Sequence, residues 1–330
     1  MKLPDRRQFL QGAASVTTLP FAPHIARAQT YPTRPITIVV PAAAGGPTDT
    51  ITRILADHMR GSLGQTVIIE NNGAAAGSIA VGRAARAAPD GYTLSIGHVG
   101  THVFNGAIYT LSYDVLTDFE PISLLVSNPQ LVISKTALPA KNLKELISWL
   151  KANQDHVTAG TAGAGSPAHI TGIYFQKLTD THFQFVPYRG GGPAQQDVVA
   201  GQIDLMFDQA VNSIPRVRAG QIKAYAVTSN TRLVAAPDIP TTDEAGLPGF
   251  YTSIWHALWA PKGTPKEIIA KIDAAIVDAL ADEAVRRRLA DLGQEIFPRD
   301  RQTPSALGVY QKAEIDKWWP IIKAANIKAE

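Results

Sequence analysis

The sequence predicts an α/β protein built on mixed, largely parallel sheets flanked by helices. From Tyr31 onward, short apolar runs alternate with segments of helical periodicity, and several of those runs end in glycine-rich loops that lead into helices. A length of 330 residues is enough for two lobes with separate cores, although one large domain would satisfy it as well.

Residues 1–28 stand apart from the fold. Arg6-Arg7-Gln8-Phe9-Leu10 is a twin-arginine arrangement, the stretch 12–23 is short and weakly apolar, and Ala26-Arg27-Ala28 is a small-x-small cleavage site. That order predicts a twin-arginine export signal, a mature chain from near Gln29 and a periplasmic destination. Nothing later reaches the roughly 18 uninterrupted apolar residues of a membrane helix. Of 31 basic and 28 acidic residues the leader holds four and one, which leaves 27 against 27 and no basic stripe to attract nucleic acid. The absence of cysteine excludes disulfides, a thiolate nucleophile and cysteine-held metal, and no cofactor is expected.

In the body of the chain, 36–40 reads as the first strand, and Ile51, Ile54, Leu55 and Met59 mark one face of the helix behind it. Between them lies PAAAGGPTDT, residues 41–50. Gly45 and Gly46 let the backbone bend and a ligand approach, and Thr48 or Asp49 is placed to cap the helix. Strand, small-residue loop and helix start together gather free N–H groups at the positive end of a helix dipole, which makes an anion cradle. With no lysine or arginine in the loop, a carboxylate suits it better than a phosphate chain.

The second strand is 66–70, and 71–78, with Gly77, repeats the small-residue loop before an alanine-rich helix. Pro89-Asp90-Gly91 is a turn, and the strand 92–96 opens onto a polar loop, 97–102, carrying His98 and His102. The apolar runs 121–126 and 131–134 read as a strand broken at Ser127-Asn128-Pro129, where a first crossover between lobes is expected. Helix 142–153 shows Leu143, Leu146, Ile147 and Leu150 on one face. After strand 157–160 comes a second cradle, TAGAGSPAH at 161–169, and a helix with Ile173, Tyr174 and Leu178. Strand 183–187 leads into a third glycine-rich loop, 188–193, followed by a short helix ending at Gly201 and by strand 203–207, which stops at Asp208. Helix 212–220 precedes strand 223–228, read as the return crossover. The stretch 237–248 is irregular, and 255–259 is a buried strand in which Trp255 and Trp259 serve packing. Thr264-Pro265-Lys266-Glu267 reads as a capping box, and two further helices, one ending at Gly293 and one capped by Thr303, complete the chain.

In YPTRPITIVVPAAAGGPTDTITRILADHM, LGQTVIIENN, AAPDGYTL, YDVLTDFEPI, TAGAGSPAHI, VPYRGGGPAQQDVVAGQIDLMFD, AVTSNTRLVAAPDIPTTDEAGLPG and WHALWAPKGTP, the chain from Tyr31 to its end resembles the extracytoplasmic receptors of the tripartite tricarboxylate transporters, the Bug family. The resemblance implies a two-lobed periplasmic binding protein, type II-like, with 29–126 and 229–330 in lobe 1, 127–228 in lobe 2 and two crossovers. It also implies that backbone amides and ordered water hold the ligand carboxylate between loops 42–49 and 161–169, and that a membrane permease is the partner of a monomeric receptor. Ala43-Ala44 stand where the family often has two prolines, Pro47 where it often has glycine, and Asn72-Gly73 lacks the usual arginine-proline.

The expected ligand-binding set is therefore mainly backbone: Ala43, Ala44, Gly45 and Gly46 in the first cradle, and Ala162, Gly163, Ala164 and Gly165 in the second. Each helix start contributes about half a positive charge. Thr48, Thr161 and Ser166 offer hydroxyls that serve equally as caps, and Asp49 and Gly77 border the first loop. His98, His102 and His169 are candidates for the distal end of the ligand, Tyr188 offers a phenol, and Asp208 either accepts from the ligand or caps a helix. There is no GxSxG elbow, Walker lysine or HExxH, and the eight histidines are not at metal spacing. The expected function is capture of a small carboxylate, whether di- or tricarboxylate or aromatic acid, for delivery to the permease without a chemical step. The alternatives are an exported α/β hydrolase using Ser166 with His169 as base, and a carboxylate sensor for a regulatory system.

Overall fold

Runs rich in β-branched residues become strands in the structure, a computed structural model that describes residues 31–327. In chain order these are β1 (Ile36–Val40), β2 (Val67–Asn71), β3 (Thr93–His98), β4 (Phe119–Lys135), β5 (Thr158–Thr161), β6 (Gln184–Pro187), β7 (Leu205–Gln209), β8 (Ile222–Val227), β9 (Ser253–Pro261) and β10 (Glu295–Ile296). The helices are α1 (Pro47–Leu63), α2 (Ser78–Ala85), α3 (Asn105–Ile108), α4 (Leu143–Ala152), α5 (Pro167–Thr179), α6 (Gly191–Val199), α7 (Ala210–Arg218), α8 (Lys266–Ala281), α9 (Glu283–Asp291) and α10 (Pro304–Ala324). The predicted export signal, 1–28, lies outside the described residues, and all these elements belong to the compact unit Pro32–Glu330.

The strands are hydrogen-bonded in the order β2-β1-β3-β9-β4-β7-β5-β6, with β10 and β8 also paired to β4. β1 is parallel to β2 and β3, and β5 is parallel to β6 and β7. Each end of the sheet thus keeps the helix-crossover geometry that parallel strands require. β4 and β9 run antiparallel to their neighbours and make the sheet mixed.

Three local expectations are corrected. β4 is not broken at Ser127-Asn128-Pro129 but runs on for 17 residues. It pairs with β9 as far as Pro129 and with β7 from Gln130, so the proline stands where the strand changes partner and its missing N–H costs least. The loop expected at 97–102 is instead the end of β3 followed by a π-helical turn, Gly100–Phe104. His102 turns under β3 there, stacked on Trp259 at 3.8 Å, and a Cβ on Gly97 would lie 2.1 Å from its Nδ1. The capping box at 264–267 does not form: Thr264 donates to Pro261 O at 2.7 Å, and α8 starts with no side-chain cap. Thr303 does cap α10, accepting from Ala306 N at 3.1 Å.

Trp255 and Trp259 are fully buried in an apolar cluster with Phe104, Phe119 and Trp318, and their indoles donate to Glu314 and Gln311. A second cluster gathers Phe175, Phe183, Phe207 and Phe250 under β5 and β7. Full burial of each such side chain contributes about 1.5–3 kcal/mol. Ile170 of α5 belongs to the first cluster, and Tyr174 packs against both.

Candidate functional site

α1 begins at Pro47 with Gly46 as its cap residue, and neither Thr48 nor Asp49 caps it. Both fall in the first turn, where a helix supplies no acceptor for its own amides. Among the described residues, the N–H groups of Ala43, Ala44, Thr48 and Asp49 meet no acceptor, while that of Gly46 donates to Ala43 O at 3.3 Å. Gly45 N–H is taken by the Asp49 carboxylate at 2.7 Å, which also accepts from Arg53 Nε at 2.9 Å and Asn71 Nδ2 at 3.0 Å. Burial acts to raise the Asp49 pKa, but the hydrogen bonds from Arg53, Gly45 and Asn71 and the Arg53 charge prevail and hold it below the ordinary value. Asp49 therefore ties the loop to α1 and β2 and neutralises the nearest cation. Gly77 has a φ of +80°, and a Cβ there would lie 2.7 Å from Pro41 O, so only glycine lets the neighbouring loop lie this close to the cradle.

Histidines back the first cradle. Thr48 Oγ1 lies 3.1 Å from His256 Nε2, and His256 opposes His98 in the β3–β9 register with ring centroids 5.7 Å apart. Gly100 N–H donates to His98 Nδ1 at 3.0 Å. Burial pushes His98 down to about 4; burial and the neighbouring His98 push His102 to about 3 and hold His256 well below its ordinary value. All three are neutral at pH 7. Sequence reasoning missed His256, whose only signal was the pairing of two strands far apart in the chain.

The second cradle opens from β5. Ser166 caps α5, its Oγ accepting from His169 N at 3.4 Å, and Thr161 Oγ1 accepts from Gly163 N at 3.3 Å. Gly165 N–H donates to His169 Nδ1 at 2.9 Å, which places the ring proton on Nε2; burial lowers the pKa of the ring. The pairing that a serine nucleophile needs is therefore not formed, since Ser166 faces the His169 amide and His169 Nδ1 is occupied. Among the described residues the amides of Ala162, Ala164 and Ala168 meet no acceptor. A Cβ on Gly165 would lie 2.9 Å from Ile108 Cδ1, so this loop comes against α3, the helix that follows the β3 histidines. Ala164 and His169 also line a cavity of 620 Å³ with Ile173, Phe185 and Ile321.

In the third loop, Tyr188 donates to Asp197 at 2.5 Å, and that hydrogen bond, then burial, moves the phenol up to about 12. Asp208 is 5% exposed and accepts from Gln195 and Ser213, each at 2.8 Å; burial pushes its pKa up. The hydroxyl and carboxyl groups singled out in the sequence are thus engaged within the chain. The donors left over at the two cradles are the main-chain amides at the starts of α1 and α5, with the His169 Nε2–H and the Ser166 hydroxyl beside the second.

Residues 51–327 match the model of the tripartite tricarboxylate transporter family receptor, TctC. The chain belongs to this family. Among solved structures, the receptor is similar to MatC of Rhodopseudomonas palustris with bound malate, at 41% identity and a TM-score of 0.76 over 88% of this chain and 100% of that one. It is similar to the periplasmic binding protein BugD at 40% identity and a TM-score of 0.76, over 91% of this chain and 100% of that one. An R. palustris protein with adipate follows at 32% identity and a TM-score of 0.78, over 90% and 99%. The family is one of periplasmic solute-binding receptors rather than enzymes, and the chain is such a receptor.

Proposed function

We propose that this receptor captures a small carboxylate between two lobes, 29–126 with 229–330 and 127–228, and presents it to a tripartite tricarboxylate permease. The observation that carries the reading is the set of acceptor-free amides at two helix starts, Ala43, Ala44, Thr48 and Asp49 on one side and Ala162, Ala164 and Ala168 on the other. Two helix N-termini offer about half a positive charge each without the entropy of ordering a long cationic side chain. An anion touching both favours the closed arrangement over any open one, which is the differential affinity a hinge requires. The malate and adipate held by two relatives fit the same chemistry. The twin-arginine leader delivers the receptor to the periplasm, where it acts as a monomer without a cofactor.

Thermal melting against malate, adipate and an uncharged diamide tests this. An acid at 100 times its dissociation constant adds about 2.7 kcal/mol, and the diamide adds nothing. Gly46→Asp and Ala164→Asp each place a carboxylate in one cradle and abolish the response while circular dichroism stays native. Ala164 is the better position in the second loop because Gly163 has a φ of +114° and any substitution there is strained. A full response in both variants would put the acid elsewhere.

A further inference from the structure

Beside the middle of β4 lies a cavity of 940 Å³ that shares no residue with either cradle. Its walls come from Ser127 and Pro129, from the segment after β8, from the residues entering β9, and from 295–298 together with Arg301 and α10. Arg301 is the group left without a match. Its guanidinium lies over the Tyr310 ring at 5.3 Å, and among the described residues its buried Nε meets no acceptor. A guanidinium cannot shed its proton, so donors withdrawn from water without an acceptor cost stability until an anion supplies one.

The surroundings define the anion further. Lys317 adds a second cation: its Nζ donates to Tyr251 O at 2.8 Å and lies 4.5 Å from the Trp318 ring centroid. Burial lowers its pKa while Glu314 opposes that shift. Glu314, on the same wall, accepts through Oε2 from the Trp255 indole at 2.9 Å and from the Trp318 indole at 3.1 Å. Tyr310 and Phe297 meet edge to face at 5.7 Å and, with Tyr251, give the cavity an aromatic wall. Glu295 is an acid on the same wall, and burial raises its pKa.

We infer that this cavity is a second anion site, separate from the cradles, that takes an aromatic monocarboxylate, its carboxylate on Arg301 and its ring against Tyr310 and Phe297. The site stands on its own residues and does not depend on the cradle reading.

Calorimetric titration with benzoate tests it on wild type, Arg301→Gln, Glu295→Gln and the cradle variant Gly46→Asp. Benzoate binds wild type and Gly46→Asp alike, binds Arg301→Gln at least tenfold more weakly, and binds Glu295→Gln as well or better because a carboxylate lining the same cavity is gone. Benzamide, which keeps the ring and lacks the charge, binds wild type at least tenfold more weakly than benzoate, an arm that does not depend on any variant folding. Absence of benzoate binding to wild type, equal affinity for benzamide, or binding lost in Gly46→Asp and kept in Arg301→Gln would overturn the site, the last by sending the acid to the cradle. Failure of the malate and adipate response would leave these outcomes untouched.

Discussion

Asp49 stands in the first turn of α1, where a carboxylate would ordinarily compete with any anionic guest, yet its oxygens turn back to Gly45, Arg53 and Asn71. The sequence made it visible as a small acidic residue at a helix start, but its partners lie four residues before and after it and on the next strand, and the nearer role of cap was the one its position suggested. Asp49→Asn keeps the size and loses the charge-assisted bonds, at about 1–3 kcal/mol. Because the folded pKa is depressed below 3.8, the wild-type advantage is fully present above that value and is lost as pH falls through the folded pKa. Urea unfolding of the two proteins in a series from pH 7 down through 3.8 measures this. The gap should close in acid, and a gap that stays constant would mean that the carboxylate's charge plays no part. The cradle amides themselves were legible, since Gly-Gly-Pro and Ser-Pro before a helical pattern announce an open helix start. The engagement of Thr48, Tyr188 and Asp208 was not, because each finds its partner on another element or another turn of the chain.

Elements built from neighbouring residues were readable, and those defined by distant pairing were not. The strand, loop and helix units around β1 and β5 are local, so apolar runs and turn residues revealed them. β4 looked broken because a proline inside a strand normally ends it, and only the exchange of β9 for β7 at that point makes the proline tolerable. The capping box failed because the helix starts at Lys266 with Pro265 as its cap residue, and the Thr264 hydroxyl turns back to donate to Pro261 O instead of accepting from a helix amide. The β3–β9 pair also brings His98 and His256 together behind the first cradle, with His102 packed beneath. Their folded pKa values lie below the ordinary 6.5, so they contribute stability that is complete above 6.5 and is lost as pH falls toward the folded values, about 4 for His98 and about 3 for His102. In that window each group steepens the decline by up to about 1.4 kcal/mol per pH unit. Melting temperature should therefore drop from pH 6.5 to pH 4, and His256→Gln should make the drop shallower. A slope unchanged in the variant would show that His256 takes up its proton in the folded state as readily as in the unfolded chain.

At the scale of the molecule, the proposed division into two lobes and the compactness of Pro32–Glu330 meet in α5. This helix starts at the second cradle, yet its Ile170 lies in the core cluster of Trp255 and Trp318, and Tyr174 packs 5.3 Å from Trp318 with the Lys317 ammonium 5.2 Å from its ring centroid. If the lobes part when no acid is bound, these contacts between α5 and α10 must separate, and they belong to the closed form alone. Tyr174→Ala then lowers the fraction of closed protein, and the apparent dissociation constant rises in inverse proportion to that fraction. A loss of about 1–2 kcal/mol of contact across the gap weakens acid binding roughly five- to thirtyfold, although no cradle residue has changed. Tyr174→Phe keeps the ring and should bind as wild type does. The measurement is calorimetric affinity for the acid that gives the largest thermal shift, set beside the melting temperature of the unliganded variant. A lower melting temperature with unaltered affinity would mean that α5 and α10 stay packed in both states, and the capture mechanism would then have to work within a rigid body.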